Sequence, residues 1–420
     1  MGLSLNFLLI FIAAIPLLGL PGHIFLRPLP DLMLLGVLFT WIYFSIKNKS
    51  LFFTSSPLKS WLWGFIAVSA FSGLFAIQTD LWLGNILGLL VGLLFLNIFR
   101  VVIKDEKNHQ KIIDASLIGA ALACFFGLLQ LALFAKWLPK WSYFEFLWSQ
   151  GRLPRLSASF IDPLNFAAYL AIVYPFLLVK TFEENKWYWK VLMLITLFCA
   201  IMTQGRSLLA AITVSTVIVA WFLKKYAKPA LYFCIALLVI LYGLTPENLA
   251  RIQPQLAKAN NTLGRGYDDL YGKKIFLSSS DRQLMLREGK DYLIKNPMGI
   301  GAGNSARELP VKYQSQWGKG TPGPHNIFLG FAIELGWLGG IFFLSFMLWI
   351  LFRLGAILFN MRKQKKWPAH YLSRVAIFAS FIGFLVYHQF VDSYTITPNV
   401  FYFWILLTLI SQIIDKEFSQ

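Results

Sequence analysis

The chain has 420 residues, of which 57% are hydrophobic and 14% charged, with a net charge of +18 and a mean hydropathy of +0.61. A water-soluble protein of this length has nowhere to hide so much apolar surface, so the composition excludes a soluble enzyme and points to a polytopic membrane protein. The positive charge gathers in short loops between apolar runs. That is a topology signal, not a nucleic-acid surface, and no nucleic-acid partner is expected.

A bilayer core needs about 20 apolar residues per helix, and by that ruler the chain holds about twelve spans. They lie near 3–20, 31–46, 60–77, 81–103, 112–135, 164–181, 188–203, 207–223, 229–244, 326–353, 373–391 and 398–415. The runs are continuously apolar rather than alternating. They therefore read as helices whose backbone bonds close within each segment, and not as a barrel. The expected fold class is an all-α polytopic membrane protein with one large, partly helical loop between helices 9 and 10. The first run lacks a basic leader and a small-residue cleavage site, and is read as helix one. Basic clusters fill the even-numbered connections: Lys47, Lys49 and Lys59; Arg100, Lys104, Lys107 and Lys111; Lys224, Lys225 and Lys228; and Arg353 to Arg374. Both termini are then expected in the cytoplasm, with the odd-numbered connections facing outward. Cys124, Cys199 and Cys234 each sit in an apolar run and read as small hydrophobes.

Three outward-facing regions carry chemistry-bearing residues. The link at about 136–163 holds Gly151-Arg152-Leu153-Pro154-Arg155, then Asp162-Pro163-Leu164-Asn165 at the start of a helix. A helix N-terminus beside guanidiniums is a ready anion site, with Arg155 as its candidate. Arg206, in Thr203-Gln204-Gly205-Arg206-Ser207, stands between two apolar runs with almost no loop. An arginine there is costly unless it snorkels or pairs, and its planar fork suits phosphate oxygens. The ordinary reading of both arginines is contact with lipid headgroups. The third region, 245–324, carries twelve Lys or Arg against seven Asp or Glu, among them Arg265 and Arg282. Basic residues on an outer face run against the usual bias, so an anionic ligand or a phosphate-rich surface is expected.

Within that loop, 281–294 reads as an amphipathic helix through Leu284, Leu286, Tyr292 and Leu293. Asn296-Pro297 stops it, and Gly299-Ile300-Gly301-Ala302-Gly303-Asn304 follows. No strand precedes this glycine run, so it is not a nucleotide loop. A tight turn bringing backbone close to a ligand or a helix fits better. The loop closes on Pro324-His325-Asn326, and nine mostly apolar residues separate it from Gly336-Trp337-Leu338-Gly339. Histidine suits proton transfer near neutral pH, which makes His325 the candidate base. His388 and Asp392, four residues apart near the outer end of helix eleven, are expected to form a polar pair on one helical face. The chain has no His-Glu-x-x-His, no Cys/His cluster and no Gly-x-Ser-x-Gly, so neither a metal nor another cofactor is expected.

Taken together, these motifs resemble the O-antigen ligase and polymerase superfamily of bacterial envelope glycosyltransferases. The ligase signature is His, then Asn, Ser or Gln, nine residues, and Gly-x-x-Gly, and His325-Asn326 through Gly339 matches it in full. Thr203-Gln204-Gly205-Arg206 resembles the family's outer-end arginine. Arg282, Pro297 and Gly299-Ile300-Gly301 follow the order of its amphipathic element. Asp162-Pro163-Leu164-Asn165 resembles an Asn-Pro-Asn element, departing at Asp162 and Leu164. The resemblance implies one glycosyltransferase domain over 1–420 with the periplasmic loop 245–324 inside it. It implies transfer of an O-antigen glycan from undecaprenyl pyrophosphate to a hydroxyl of the lipid A core, on the periplasmic face of the inner membrane. It implies catalytic roles for His325, Arg282 and Arg206. Arg155, Arg265, Asn326 and Asp392 are then candidates for binding pyrophosphate or glycan, and membrane lipids surround the whole. A polymerase extending a second lipid-linked glycan, a protein oligosaccharyltransferase and a lipid-linked-glycan transporter are the alternative readings.

Overall fold

The computed structural model describes residues 2–20, 56–103, 106–132, 156–160, 162–203, 205–223, 279–305, 325–364, 370–391 and 397–418, with isolated positions at 32–46, 232 and 235. The described part is all helical. In chain order the helices are α1 (Gly2–Ala14) continued by a 3-10 turn (Ile15–Gly19), α2 (Pro57–Phe71) with a second 3-10 turn (Ser72–Phe75), α3 (Thr79–Val102), α4 (Glu106–Ala132), α5 (Pro163–Glu184), α6 (Trp187–Met202), α7 (Arg206–Phe222), α8 (Ser279–Lys295), α9 (Ile327–Arg362), α10 (Tyr371–Tyr387) and α11 (Thr397–Phe418). Six are long and apolar enough to cross a membrane: α2 with its 3-10 turn, α3, α4, α5, α9 and α11. Four shorter apolar helices accompany them, at Leu5–Gly19, Trp187–Met202, Arg206–Phe222 and Tyr371–Tyr387. The protein is a multi-pass membrane protein. The spans expected at 31–46 and 229–244 lie almost wholly outside the described residues.

The centre of the bundle is α5 packed against α10 and α7. Both α5 and α10 are apolar on all sides and buried along nearly their whole length. Lipid offers no hydrophobic drive between helices, so close approach relies on small residues. At Gly383 an added Cβ would come within 2.6 Å of Ser215 Oγ and 3.0 Å of the Ala171 carbonyl oxygen, which is where α10, α7 and α5 meet. Several polar groups inside this core pair within it. Tyr174 and Thr216 hydroxyls lie 2.7 Å apart, and Ser215 Oγ donates to the Ala379 carbonyl. Tyr402 donates to the Ile12 carbonyl and Tyr169 to the Ser116 carbonyl, which ties α1, α4, α5 and α11 together.

The helix ends collect at two levels. At the lower level Asp415 of α11 pairs with Arg100 of α3 and accepts from Ser56, while Lys180 of α5 bridges Asp114 and Glu184. The ion pairs among the described residues all lie at this end. The upper level holds the start of α5, the α6–α7 turn, the start of α9 and the end of α10. Here Gln130 of α4 is buried, accepting from the N–H groups of Ser157 and Ala158 and donating to the Ser157 hydroxyl.

Candidate functional site

The amphipathic helix expected at 281–294 forms as α8 and docks by its last turns. Leu293 is buried against Ala332 and Ile333 of α9 together with Ile300, and Tyr292 and Leu329 pack alongside. Leu286, also expected on the apolar stripe, is exposed. Beyond Pro297 the glycine run lies against a helix, as one of its two expected uses required. Ile300 N–H donates to the carbonyls of Ile333 and Glu334, Gly301 N–H to Glu334, and Trp337 N–H back to Pro297. On its other side the run meets the α2–α3 turn. Ala302 N–H donates to Ser72 Oγ and Ile77 N–H to the Ile300 carbonyl, while Asn304 and the Gln78 backbone exchange bonds in both directions.

Gly336 explains half of the sequence signature. It has φ 75° and ψ −179°, so α9 is two helices meeting at a kink rather than one continuous span. Gly299, Gly301 and Gly303 also have positive φ, the region that only glycine enters without strain. Sequence reasoning missed Glu334, two residues before the kink and 5% exposed. Its carboxylate accepts from the Ser305 hydroxyl, at the far end of the glycine run. The signal was present, because Glu334 is the one charge in the apolar stretch 327–335.

Nine residues before Glu334, His325 is 6% exposed with φ 51°, a left-handed backbone that costs a non-glycine residue about 1–3 kcal/mol. Its neighbours hold it there. Asn326 is the N-cap of α9, its Oδ1 accepting from Leu329 N–H, and its amide nitrogen donates to the backbone and side-chain oxygens of Gln389. Ile327 N–H donates to the His388 carbonyl. The start of α9 is thereby fastened to the end of α10.

The polar pair expected of His388 and Asp392 rested on a helix running through both. Instead α10 ends at Tyr387, and His388 is buried in the turn after it, with Nδ1 3.0 Å from the Val391 carbonyl. Asp392 lies outside the described residues. So do Arg155 and Arg265. Of Arg282 only the backbone is described, in the first turn of α8.

Arg206 is exposed at the first position of α7. The Thr203 hydroxyl accepts from Gly205 N–H, and the Gly205 carbonyl accepts from Leu208 and Leu209, so the helix starts sharply there. A cation at the positive end of a helix dipole is unfavourable by itself and is offset when an anion binds it. The segment after Arg155 runs beside this turn, because Leu156 N–H donates to the Met202 carbonyl. The nearby start of α5 is not an open anion site. Asp162 caps it, taking the N–H groups of Leu164 and Asn165 on Oδ1 and the Asn165 amide on Oδ2. Tyr387 donates to the Leu164 carbonyl, which carries the connection on to His388 and the start of α9. His325 and Arg206 therefore stand at the same end of the bundle, the end where α5 begins.

The family model described as O-Antigen ligase matches residues 191–344. That match supports a relation to the O-antigen ligase superfamily. Among curated proteins none matches it. The matched stretch runs from α6 to just beyond Gly339. It therefore takes in Arg206, Arg265, Arg282, the glycine loop, His325, Asn326 and Glu334, while Arg155, Asp162, His388 and Asp392 fall outside. The match suggests a glycosyltransferase-like enzyme of O-antigen processing, a family that implies lipid-linked glycans and membrane lipids as partners.

Proposed function

We propose that the protein transfers an O-antigen glycan from undecaprenyl pyrophosphate to a hydroxyl of the lipid A core, at the periplasmic face of the bacterial inner membrane. The upper end of the bundle is then periplasmic, both termini are cytoplasmic, and the whole chain is one domain of about twelve spans. The observation that carries this reading is His325. It is a buried imidazole in a strained left-handed backbone, clamped by Asn326 and by the end of α10, at the same end of the bundle as an exposed arginine on a helix N-terminus.

The acceptor oxygen attacks C1 of the first donor sugar, and the bond from C1 to the pyrophosphate oxygen breaks. The acceptor proton passes to the His325 imidazole. The departing pyrophosphate gains negative charge, which the guanidiniums of Arg206 and Arg282 meet, with Arg155 and Arg265 as further contacts. This chemistry needs no metal. Asn326 serves by holding His325, since its amide protons are engaged by Gln389. Asp392 is assigned to the glycan.

The test uses purified full-length protein in detergent with EDTA, undecaprenyl-pyrophosphate glycan, and either lipopolysaccharide lacking O-antigen or no second acceptor. Glycan on the lipid A core, falling by about 10²–10⁴-fold in His325→Ala, is the expected result. Longer lipid-linked glycan without core transfer would make the protein a polymerase. No covalent product in either tube would favour a transporter.

A further inference from the structure

Two elements assigned to catalysis sit on separate helices, with Arg282 on α8 and His325 at the head of α9. Between them in sequence lies the loop 296–305, whose first end is the C-terminus of α8. The near end of this loop is bonded to α9 backbone to backbone, at Ile333, Glu334 and Trp337. Its far end meets α9 through one side chain, the buried carboxylate of Glu334, which accepts from the Ser305 hydroxyl. The α8 helix runs about 20 Å from this junction back to Arg282, at about 1.5 Å per residue. A tilt of about 10° at the loop would carry Arg282 about 3 Å along that lever. Displacements of about 1 Å already cost about 10²-fold in well-oriented reactions.

We propose that Glu334 is a positioning residue. By clamping the 303–305 turn onto α9 it holds α8, and with it Arg282, in register with His325. The inference rests on the pyrophosphate role given to Arg282 under Proposed function. Glu334 touches no substrate and acts through the loop. Glu334→Gln keeps the size and one acceptor oxygen. It replaces the other oxygen with an amide that donates where the loop also donates.

The experiment measures binding of undecaprenyl pyrophosphate to the purified full chain in detergent, for the parent, Glu334→Gln, Arg282→Ala and the double variant. Glu334→Gln is expected to weaken affinity about tenfold with an undiminished number of sites per molecule. The double variant is expected to bind no more weakly than Arg282→Ala, because the clamp matters only through the arginine it holds. Parent-like affinity in Glu334→Gln overturns the inference, as does a double variant weakened by the product of the two single effects. Fewer sites at unchanged affinity also overturns it, since that is simple misfolding. Parent-like affinity in Arg282→Ala instead overturns the functional reading beneath it. If Glu334→Gln fails to fold, the same cycle is read with Ser305→Ala. That variant removes the hydroxyl donor of the clamp and is expected to weaken binding about threefold. Parent-like affinity in a folded Ser305→Ala then overturns the inference.

Discussion

Gly299 and Gly336 meet backbone to backbone. A Cβ on Gly299 would lie 2.5 Å from the Gly336 nitrogen, and a Cβ on Gly336 would lie 2.6 Å from the Pro297 carbonyl oxygen. Each is therefore glycine twice over, for its positive φ and for want of room. The second half of the ligase signature is thus a docking joint for the loop that follows α8, while its first half presents the histidine.

Gly336→Ala is expected to destabilise the protein by about 2–4 kcal/mol, combining the positive-φ cost with overpacking against backbone that has no rotamer to yield. Gly299→Ala should behave alike. Thermal unfolding in detergent measures this, and a melting point equal to the parent's would show that the joint is looser than described.

The opposite pattern is expected at Arg206. The side chain is exposed, so Arg206→Ala should leave the melting point unchanged while transfer falls by about 10²–10³-fold. Arg206→Lys should recover little, since an ammonium cannot offer the bidentate fork. Rates and melts taken on the same preparations decide it. Full transfer by Arg206→Ala would remove Arg206 from the site.

Gln130 supports the segment 156–160 from below. Ala158, which it bonds, has φ 52°, a second strained residue at the upper end. Gln130→Leu leaves the Ser157 and Ala158 N–H groups buried without their acceptor, at a cost of about 1–3 kcal/mol each. The expected outcome is a lower melting point, together with easier proteolysis in the 156–160 segment. An unchanged melt would mean that water or lipid headgroups replace the glutamine.

Gly84 and Gly88 provide the contrast. Both face outward on α3, and a Cβ at either would meet nothing within 4 Å. Gly84→Ala and Gly88→Ala are expected to leave transfer unchanged, with stability equal to the parent's or higher by up to about 1 kcal/mol from helix propensity. Loss of transfer in either variant, measured in proteoliposomes, would reveal a partner seated on that face.

The sequence by itself determined the helices. A segment in lipid must close its own backbone bonds, so apolar run length alone placed α1, α2, α3, α5, α6 and α7 within a few residues of where they lie. Amphipathic spacing likewise placed α8, and residue types singled out His325 and Arg206. Tertiary structure decided how those pieces are held. The acceptor for Ala302 is Ser72, 230 residues away, and Gln78 pairs with Asn304 across 226 residues. No local pattern encodes such bonds. For the same reason Asp162 closed the α5 terminus that looked open to anions, α10 ended before it could carry Asp392, and Glu334 looked like one stray charge in an apolar run. Each of these depends on which distant backbone group arrives to be satisfied, and only the packed bundle brings that group into reach.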